Sequence, residues 1–586
     1  MDYVENYRRW LDLCDERGKR ELESISGDEK EIKERFTLPL AFGTAGMRGT
    51  IAYGIANMNV YTVARATKGL ADYINACNAA DRGVVISYDT RNFSYEFAVT
   101  TERVLGAQGV RVYLFENVRP VPVCSFAVRD LKAIAGVMIT ASHNPKEYNG
   151  YKVYGEDGAQ MSPEATAQVV SYIDKADYFG IPTEEITQDR EGVKGGNGKK
   201  ISEHITVIGK DVDERYYAEV AKLTLSPEAV AAEGPGMKLV YSPLHGSGYV
   251  PVTTMLSRMG INVDVVEEQR LPDGDFPTVG MPNPEQPDAL ALGIKLAEKT
   301  GADAVIGTDP DCDRMGVAVR DSEGRFMLLT GNQTGALLMD YILMRRAERG
   351  DLPANGAVVK TIVTTRLADK IAAHYGVKSF DVLTGFKFIG EKIKEWESSG
   401  EYTFLFGYEE SYGYLSGTHA RDKDAVVASM LFAEMVCYYQ YKGKRVCDRL
   451  NELFGMFGCF CESSTSFAFK GLDGMAKMKA IMDSARENPI ADVCGKKPVS
   501  ETDFEKGVTV YADGSEAPSG LPKTNVIKYD LGDDEWVCIR PSGTEPKLKL
   551  YVSVNAKTVE EAKRRNTAFT EDLKKKILGK VYEKIA

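Results

Sequence analysis

The stretch AIAGVMITASHNP, residues 133–145, joins seven apolar residues to a polar loop that carries a serine and a histidine. The apolar run predicts a buried strand of an α/β sheet, because a strand covered on both faces is nearly continuous in apolar residues. A strand that ends in a plain turn requires neither a hydroxyl nor an imidazole. Ser142 and His143 are therefore candidate functional residues, and Pro145 stiffens the loop that holds them.

Three further stretches repeat this arrangement of an apolar strand followed by a polar loop. They are ADAVIG (302–307) before TDPDCDR (308–314), YTFLF (402–406) before GYEESYG (407–413), and EWVCI (535–539) before RPSGTEPK (540–547). Ligands of α/β proteins bind where strands end at their carboxyl edges. We therefore expect the four loops to build one site, in a cleft between domains.

The chain has 586 residues, which is too long for one hydrophobic core, and roughly 100–200 residues per domain predicts three to five domains. A Gly- and Lys-rich segment at 191–200, a hairpin-like stretch at 320–330 and a break near 455 divide it. The C-terminal part has a different pattern of apolar and polar residues. KLKLYVSV (547–554) alternates like a strand with one buried face, and Thr558 and Glu561 have capping-box spacing before a closing helix.

Composition argues against several classes of function. The longest apolar runs are far shorter than the ~20 residues that span a bilayer, and the charged first residues do not fit a signal peptide. The ten cysteines form no CxxC pair and predict reduced thiols. The net charge of −12 does not fit a general nucleic-acid-binding protein. We expect a cytoplasmic protein with no nucleic-acid partner and no membrane partner.

The loop TDPDCDR carries the clearest chemistry. In an extended loop, residues at i, i+2 and i+4 project to the same side, which groups Asp309, Asp311 and Asp313. Three carboxylates this close repel one another unless a hard divalent cation lies between them, and Mg²⁺ suits such a site. An EF-hand does not fit, because its sixth position would be Arg314 in place of glycine and its twelfth Arg320 in place of glutamate. A solvated acidic turn is the alternative interpretation.

Two of the loops are typical of phosphate and sugar recognition. Arg540 can hold a phosphate through two donors, and the residues 542–544 add hydroxyl and backbone N–H groups. Glu409 and Ser411 are two residues apart, so an extended loop places an acceptor and a hydroxyl on one side, which suits vicinal sugar hydroxyls. A common turn and a solvated glutamate are the alternatives.

These neighbours give Ser142 a role. A serine hydroxyl is a weak nucleophile, but a phosphoserine can donate its phosphoryl group while a bound cation neutralises the developing charge. His143 could hydrogen-bond that phosphate or relay a proton. A serine hydrolase fits poorly, because the residues around Ser142 do not form G-x-S-x-G.

Six motifs occur in an order that resembles the alpha-D-phosphohexomutase family, in its phosphoglucomutase branch. They are FGTAGMRG (42–49), TASHNP (140–145), NGYKVY (149–154), DPDCDR (309–314), GYEES (407–411) and RPSGTEP (540–546). The resemblance covers nearly the whole chain. It implies an α/β fold of four domains, namely three related α/β units with mixed sheets around a central cleft plus a C-terminal α+β domain. We place these domains at 1–204 with the phosphoserine loop, 205–325 with the metal-binding loop, 326–455 with the sugar-binding loop and 456–586 with the phosphate-binding loop.

The resemblance also implies the reaction, a reversible transfer of phosphate between C1 and C6 of a hexose. Phosphorylated Ser142 would donate its phosphoryl group to the free hydroxyl of the sugar. The resulting glucose 1,6-bisphosphate would reverse its orientation within the site and return its other phosphate to Ser142. The implied cofactors are Mg²⁺ and glucose 1,6-bisphosphate as the priming intermediate. The implied partner is a small sugar phosphate, and the chain is expected to be a monomer or a dimer.

Residue roles follow from the same resemblance. The implied catalytic residues are Ser142, His143, Arg48 and Lys152, and the implied metal ligands are Ser142, Asp309, Asp311 and Asp313. The implied substrate-binding residues are Thr44, Arg314, Gly385, Lys387, Glu409, Ser411, His419 and Lys423. The implied phosphate-binding residues are Arg540, Ser542, Gly543, Thr544 and Lys549.

Departures from the family patterns bear on the sugar. The sugar loop reads GYEESYGY in place of GEMSGH, the form found in enzymes that accept both mannose and glucose, and TGFKF (384–388) resembles the glucose branch. FGTAGMRG, RDKDA and the chain length resemble a subgroup that includes enzymes acting on pentose phosphates. We expect glucose phosphates, with phosphopentomutase or phosphomannomutase activity as the alternative.

Two rival functions fit less well. A phosphatase or mutase with an aspartyl nucleophile uses D-x-D-x-[TV], but the fifth position here is Asp313 or Met315. A non-catalytic sugar-phosphate sensor would be expected to have lost the serine or an aspartate, and all of them are present.

Overall fold

The computed structural model describes residues 2–43, 46–186, 197–469, 474–542 and 547–582. The chain forms two compact units, each with its own buried core. The first unit comprises Met1–Gly356 and Phe386–Val446, and the second comprises Ala357–Gly385 and Cys447–Ala586.

Three short helices open the chain, and each begins after an aspartate. They are α1 (Tyr3–Leu13), α2 (Glu16–Ser24) and α3 (Glu29–Phe36). The carboxylates of Asp2, Asp15 and Asp28 accept hydrogen bonds from backbone N–H groups in the first helical turn, which otherwise have no acceptor. Trp10 is fully buried in an aromatic cluster that fixes these helices to the first unit.

The first sheet carries the serine loop. Its elements are β1 (Met47–Thr50), α4 (Val60–Ala76), a 3₁₀ turn (Ala80–Arg82), β2 (Val84–Tyr88), α5 (Ser94–Ala107), β3 (Val112–Phe115), α6 (Val121–Asp130), β4 (Ala135–Ile139), β5 (Tyr148–Gly155), α7 (Pro163–Ile173), β6 (Asn197–Lys200) and β7 (Ile205–Ile208). The strand order is β1-β5-β4-β2-β3-β7-β6, with β4, β2, β3 and β7 parallel. The strand predicted before TASHNP is confirmed as β4, whose five residues are all buried.

The first sheet extends one strand beyond residue 204, the end of the first predicted domain. β7 (Ile205–Ile208) pairs in parallel with β3, so the first sheet extends past residue 204. The Gly- and Lys-rich segment that suggested the boundary lies outside the described residues up to 196, and its last four residues form β6.

The second sheet carries the aspartate loop. Its elements are α8 (Lys210–Ala221), α9 (Pro227–Glu233), β8 (Leu239–Ser242), α10 (Tyr249–Arg258), β9 (Val263–Val265), α11 (Glu267–Arg270), α12 (Pro287–Thr300), β10 (Ala304–Thr308), β11 (Met315–Arg320) and β12 (Phe326–Leu328). The strand order is β12-β11-β10-β8-β9. β10 is parallel to β8 and antiparallel to β11, so the aspartate loop is a tight link between β10 and β11. The hairpin predicted near 320–330 is confirmed as β11 and β12.

The next part of the chain contributes to both units. Its elements are α13 (Gly331–Arg349), β13 (Gly356–Thr361), α14 (Leu367–His374), β14 (Lys378–Val382), α15 (Lys387–Ser399), β15 (Thr403–Glu409), β16 (Gly413–Ser416) and α16 (Ala425–Tyr441). In the first unit, β15 and β16 form an antiparallel hairpin. In the second unit, β13 and β14 are parallel.

The C-terminal part of the second unit is an antiparallel sheet with helices on one face. Its elements are α17 (Val446–Phe457), β17 (Cys459–Ala468), α18 (Gly474–Glu487), β18 (Ser500–Asp503), β19 (Val508–Tyr511), β20 (Glu516–Pro518), β21 (Ile527–Gly532), β22 (Glu535–Pro541), β23 (Lys547–Ala556) and α19 (Val559–Tyr582). The strand order is β17-β23-β22-β21-β18-β19-β20, and every pair is antiparallel.

Alternation along these strands separates two faces of the sheet. Ile527 and Ile539 on one face join the core formed with α18 and α19, while Lys528 and Arg540 lie on the other. The Thr558 hydroxyl accepts a hydrogen bond from the N–H of Glu561, which confirms the predicted start of the closing helix. The predicted α/β class with an α+β C-terminal part is confirmed. Within the described part of the chain, no helix is both long and apolar enough to cross a membrane.

Candidate active site

Ser142 lies directly against the aspartate loop. Its hydroxyl donates a hydrogen bond to Asp309 Oδ2 over 2.9 Å, and His143 Nδ1 lies 3.2 Å from the same hydroxyl. The backbone of Ser142 has φ 52, a left-handed conformation that is uncommon outside glycine. Thr140 stabilises this turn because its hydroxyl accepts a hydrogen bond from the Ser142 N–H over 2.8 Å. The structure therefore brings together the serine and the aspartates that the sequence placed in separate domains.

Arg91 binds the backbone of the serine loop, a role that the sequence analysis did not predict. Its fully buried guanidinium donates hydrogen bonds to four carbonyl oxygens of the loop, those of Ser142, Asn144, Pro145 and Tyr148. The sequence does contain a signal, because DTRN (89–92) follows β2, and β2 lies parallel to β4.

Asp89 connects this arginine to the aspartate loop. Its carboxylate lies 3.4 Å from the Arg91 guanidinium and accepts hydrogen bonds from the hydroxyls of Ser94 and Thr140. The Thr140 hydroxyl also lies 3.2 Å from Asp311 Oδ2, which is a second acceptor for it. Burial raises the pKa of the Asp89 carboxyl, and Arg91 and the two hydroxyls oppose that rise.

Asp309, Asp311 and Asp313 form a buried group in which one oxygen of each lies within 4.8 Å of the others. The loop reaches this geometry through a turn, with Cys312 at φ 50, and not through the extended conformation that the sequence suggested. The remaining oxygen of Asp309 accepts hydrogen bonds from the N–H groups of Asp313 and Arg314, which closes the turn.

The aspartate group could hold a metal ion. Asp311 Oδ1 and Asp313 Oδ1 are buried and have no hydrogen-bond partner within the ranges that the structure describes. Leaving buried carboxylate oxygens unpaired is costly, and a hard cation with oxygen ligands satisfies them. Burial and the neighbouring carboxylates raise the pKa of Asp309 well above its usual range, a repulsion that a divalent cation relieves.

Two buried lysines face the aspartate group from different elements. Lys152 on β5 lies 2.8 Å from Asp311 Oδ2 and 3.6 Å from Asp313 Oδ2. Lys423, just before α16, lies 3.0 Å from Asp313 Oδ2 and 2.9 Å from Asp422. Burial alone would raise the pKa of Asp313, but the two lysines and Arg314 lower it to about 2. Asp313 is thus a carboxylate at every physiological pH.

The sugar loop is a tight hairpin and not the extended loop that the sequence suggested. Glu409 ends β15 and pairs with Gly413 of β16, and Ser411 lies in the turn between them. The turn contacts the aspartate loop, because the N–H of Met315 donates to the carbonyl of Tyr412 over 3.0 Å. Buried Glu409 is close enough to raise the pKa values of Arg314 and Lys423, although burial opposes both shifts.

Arg314 and Arg48 also border the cluster. The guanidinium of Arg314 lies 2.9 Å from Glu285, which holds it beside the sugar loop. Arg48 on β1 donates to the side chain of Asn144 over 3.3 Å, which places it at the serine loop. Thr44 lies outside the described residues.

The other predicted substrate-binding residues of the first unit are less central. His419 Nε2 lies 2.8 Å from Asp424, whose carboxylate accepts hydrogen bonds from Tyr216 and caps α16. This buried imidazole therefore supports the segment that carries Lys423. The ammonium of Lys387 lies 4.8 Å from the ring of Phe388 at the start of α15.

The predicted phosphate residues lie in the second unit. Arg540 on β22 pairs with Lys549 on β23, and its guanidinium lies 3.4 Å from the Tyr551 hydroxyl. The N–H of Ser542, directly after β22, donates to the carbonyl of Lys547 at the start of β23 over 2.7 Å. Gly543 and Thr544 lie outside the described residues. Gly385 has φ 118, a conformation that favours glycine.

Four family models match the chain in succession. They describe phosphoglucomutase/phosphomannomutase α/β/α domain I at residues 39–179, domain II at 214–324, domain III at 330–457 and the C-terminal domain at 485–571. The chain belongs to the phosphoglucomutase/phosphomannomutase family. The resemblance to the phosphoglucomutase branch and the four-domain fold class are thereby confirmed.

Curated relatives of this family cover almost the whole chain. A phosphoglucomutase of Staphylococcus epidermidis is 38% identical over 550 residues, which are 93% of this chain and 96% of the relative. A phosphoglucomutase of Staphylococcus aureus is 35% identical over 541 residues, which are 92% and 94% of the two chains. This chain is accordingly a phosphohexomutase, an isomerase-class enzyme.

Solved structures of two family members share the fold. The open form of pp63/parafusin, a phosphoglucomutase of Paramecium, matches with a TM-score of 0.66 and 19% identity, over 92% of this chain and 94% of that one. A phosphoglucomutase/phosphomannomutase family protein of Burkholderia thailandensis matches with a TM-score of 0.63 and 19% identity, over 90% and 95%. At these identities the likeness concerns the fold alone.

Proposed function

We propose that this phosphohexomutase interconverts glucose 1-phosphate and glucose 6-phosphate through a phosphorylated Ser142 and a bound glucose 1,6-bisphosphate. The observation that carries the proposal is the 2.9 Å hydrogen bond from Ser142 to Asp309, within a group of three buried aspartates flanked by two lysines. A hydroxyl in that position can be phosphorylated and dephosphorylated next to a cation site.

The candidate site residues of the first unit each have a role in the proposed reaction. Asp309, Asp311 and Asp313, with Ser142, would hold Mg²⁺, which when bound neutralises the charge that develops on the transferring phosphoryl group. Lys152 lies beside Asp311 and can exchange a proton with the sugar hydroxyl that receives the phosphate. His143 can hydrogen-bond the phosphate on Ser142, since its Nδ1 already lies 3.2 Å from that hydroxyl.

The sugar and its second phosphate require further contacts. Glu409 and Ser411 would accept and donate hydrogen bonds to sugar hydroxyls, with Lys423 and Arg314 next to them. Arg540, Ser542, Gly543, Thr544 and Lys549 keep their predicted role in holding the phosphate that is not transferred. The contributions of Thr44, Arg48, Gly385, Lys387 and His419 also stay predictions, as do cytoplasmic location, a monomeric or dimeric state and the domain boundaries.

Glucose is the proposed hexose because the similar curated relatives are named phosphoglucomutases and cover more than nine-tenths of the chain. Phosphopentomutase activity is the second candidate, because FGTAGMRG, RDKDA and the chain length resemble a subgroup that includes enzymes acting on pentose phosphates. Phosphomannomutase activity is the weaker alternative, because the sugar loop reads GYEESYGY in place of GEMSGH. A sugar-phosphate sensor is disfavoured, because the serine, the three aspartates and Lys152 all converge.

The test is turnover of glucose 1-phosphate with Mg²⁺ and a trace of glucose 1,6-bisphosphate. The native chain is compared with Ser142→Ala and with Ser171→Ala, an exposed serine on α7 that serves as the matched control. Ribose 1-phosphate and mannose 1-phosphate are assayed in parallel. Formation of glucose 6-phosphate that is lost only in Ser142→Ala supports the relay, whereas activity that survives this change excludes it. Faster turnover of ribose or mannose phosphate would reassign the substrate.

A further inference from the structure

A cavity of about 350 Å³ lies within the second unit, on the face of the antiparallel sheet that carries Arg540. It is lined by charged and hydroxyl side chains from β18, β21 and the segments after β13 and β20, including Arg366, Ser500, Thr502, Ser519, Lys528 and Asp530. None of these residues belongs to the predicted reaction centre. The chemistry of the cavity depends on Lys528.

Lys528 differs from the cations around it. Lys360 lies beside Asp369 and Asp381, and Arg366 lies beside Asp530. The Lys528 amine has no carboxylate within ion-pair distance in the part of the chain that the structure describes. It donates to the carbonyl of Ile362 over 2.6 Å and lies 4.6 Å from the centre of the Trp536 ring.

The surroundings destabilise the charged form of the Lys528 amine. Burial lowers the pKa of Lys528, and the positive charges of Lys360 and Arg366 lower it further, to about 8. Asp381 on β14 and Cys538 on β22 oppose this shift, and the Trp536 ring also favours the charged form. The opposing groups are outweighed, so an appreciable fraction of the amine is unprotonated and nucleophilic near neutral pH.

We propose that Lys528 is a site of covalent N-acylation by small acyl phosphates that enter this cavity. The guanidinium of Arg366 has more N–H donors than Asp530 uses, and the hydroxyls of Ser500, Thr502 and Ser519 line the same space. Together they suit the phosphate end of such a molecule, while the amine faces its acyl carbon.

The reaction balances without an oxidant, a reductant or a further co-reactant. The amine lone pair forms a bond to the acyl carbon, and the bond between that carbon and the bridging phosphate oxygen breaks. Inorganic phosphate leaves, and the amine proton passes to solvent or to the departing phosphate. The product is a neutral amide in place of a titratable cation.

The test measures lysine acetylation in the full native chain by peptide mass spectrometry between pH 6.5 and 9. Acetyl phosphate is compared with N-acetoxysuccinimide, a neutral reagent that delivers the same acyl group. Exposed Lys523 and Lys557 of the same unit serve as internal references. The lower pKa increases the free-amine fraction by ~10²-fold and reduces intrinsic nucleophilicity by ~10-fold, so Lys528 should react about tenfold faster than the references at pH 7.5.

Arg366→Met tests the role assigned to the cavity. Both reagents require the free amine, so the ratio of the acetyl phosphate rate to the neutral-reagent rate at Lys528 isolates the phosphate contact from any change in pKa. The ratio should fall about tenfold in this variant and stay constant at Lys523 and Lys557, where constant values also show that the fold is intact. Lys528 reacting no faster than the references overturns the proposal. A ratio that Arg366→Met leaves unchanged overturns the assignment to acyl phosphates.

Discussion

Replacing Arg91 with methionine is expected to lower kcat for glucose 1-phosphate about a hundredfold while leaving KM within a few-fold of its native value. The guanidinium touches no substrate atom in the proposed reaction, but it holds four carbonyl groups of the loop that carries Ser142. A displacement of about 1 Å between reacting groups costs roughly 10²-fold in rate. Arg91 therefore acts as a positioning residue for the serine.

The cost in stability can be worked out separately. Arg91 and Asp89 are both fully buried, and removing one partner of a buried pair costs about 3–5 kcal/mol, since the other charge is left uncompensated. The loop carbonyls also lose a charged donor, at about 1–3 kcal/mol for each one that remains buried and unpaired. Arg91→Met should consequently lower the thermal unfolding midpoint by several degrees as well as slow the reaction.

Two further variants separate the effect of Arg91 on the position of Ser142 from its effect on the stability of the protein. Arg345→Met breaks the ion pairs of another buried arginine in the same unit, with Glu228 and Glu348, and should destabilise the protein without changing kcat. Adding Asp89→Asn to Arg91→Met removes the unpaired charge and should recover much of the lost stability, but not the rate. The measurements are steady-state kinetics, the thermal midpoint and the fraction of phosphorylated Ser142 by intact-mass spectrometry.

The positioning role would be refuted if Arg91→Met retained kcat within threefold while losing stability. It would also be refuted if the double variant regained rate in proportion to its thermal midpoint, because turnover would then follow the amount of folded protein.

Three other outcomes are expected. Chelation by EDTA should abolish turnover, and Mg²⁺ should restore it and raise the thermal midpoint by relieving the buried carboxylates; a midpoint unaffected by Mg²⁺ would contradict the metal site. Burial lowers the pKa of His245, so the folded protein binds fewer protons at this residue than the unfolded chain and loses stability as the pH falls below about 6.5. His245→Gln should therefore make the thermal midpoint less dependent on pH between about pH 7.5 and 5. An unchanged slope of midpoint against pH would contradict this assignment. Gly335→Ala places a Cβ 2.1 Å from the buried Tyr408 ring and should cost about 1–3 kcal/mol in urea unfolding, whereas Gly455→Ala in α17 meets nothing and should be neutral or stabilising.

The parts of the site that the sequence predicted are those that depend on short, local stretches. A buried strand followed by a polar loop is visible in the residues themselves, and β4, β10, β15 and β22 all precede their predicted loops. The grouping of the three aspartates was also correct, although for an incomplete reason. A turn with Cys312 in the left-handed region, and not an extended chain, brings their carboxylates together. Alternation along a strand cannot describe a loop whose shape is set by the pairing of β10 with β11.

The parts that the sequence did not predict depend on contacts between distant residues. Arg91 binds carbonyl oxygens, which every residue carries, so its partners leave no mark in the residue types of the loop. The place of β7 in the first sheet was also not predicted, because β7 is short and joins that sheet through pairing with β3, some ninety residues earlier in the chain. Pairing partners across such a separation are fixed by packing, and a Gly-rich stretch nearby says nothing about them.

The buried charges of the first unit support one interpretation more than any other. When the three aspartates are ionised, their charge exceeds that of Lys152 and Lys423 by one, so the cluster is one positive charge short of balance. Two carboxylate oxygens also lack hydrogen bonds among the described residues. A cluster serving stability alone would be expected to pair every charge, since a well-packed apolar core of the same size is at least as stable. Unpaired oxygens next to a serine in a left-handed turn cost stability twice over. Such a cost is explained by the arrival of a cation, which supplies the missing positive charge and binds the unpaired oxygens beside the serine that would carry the phosphoryl group.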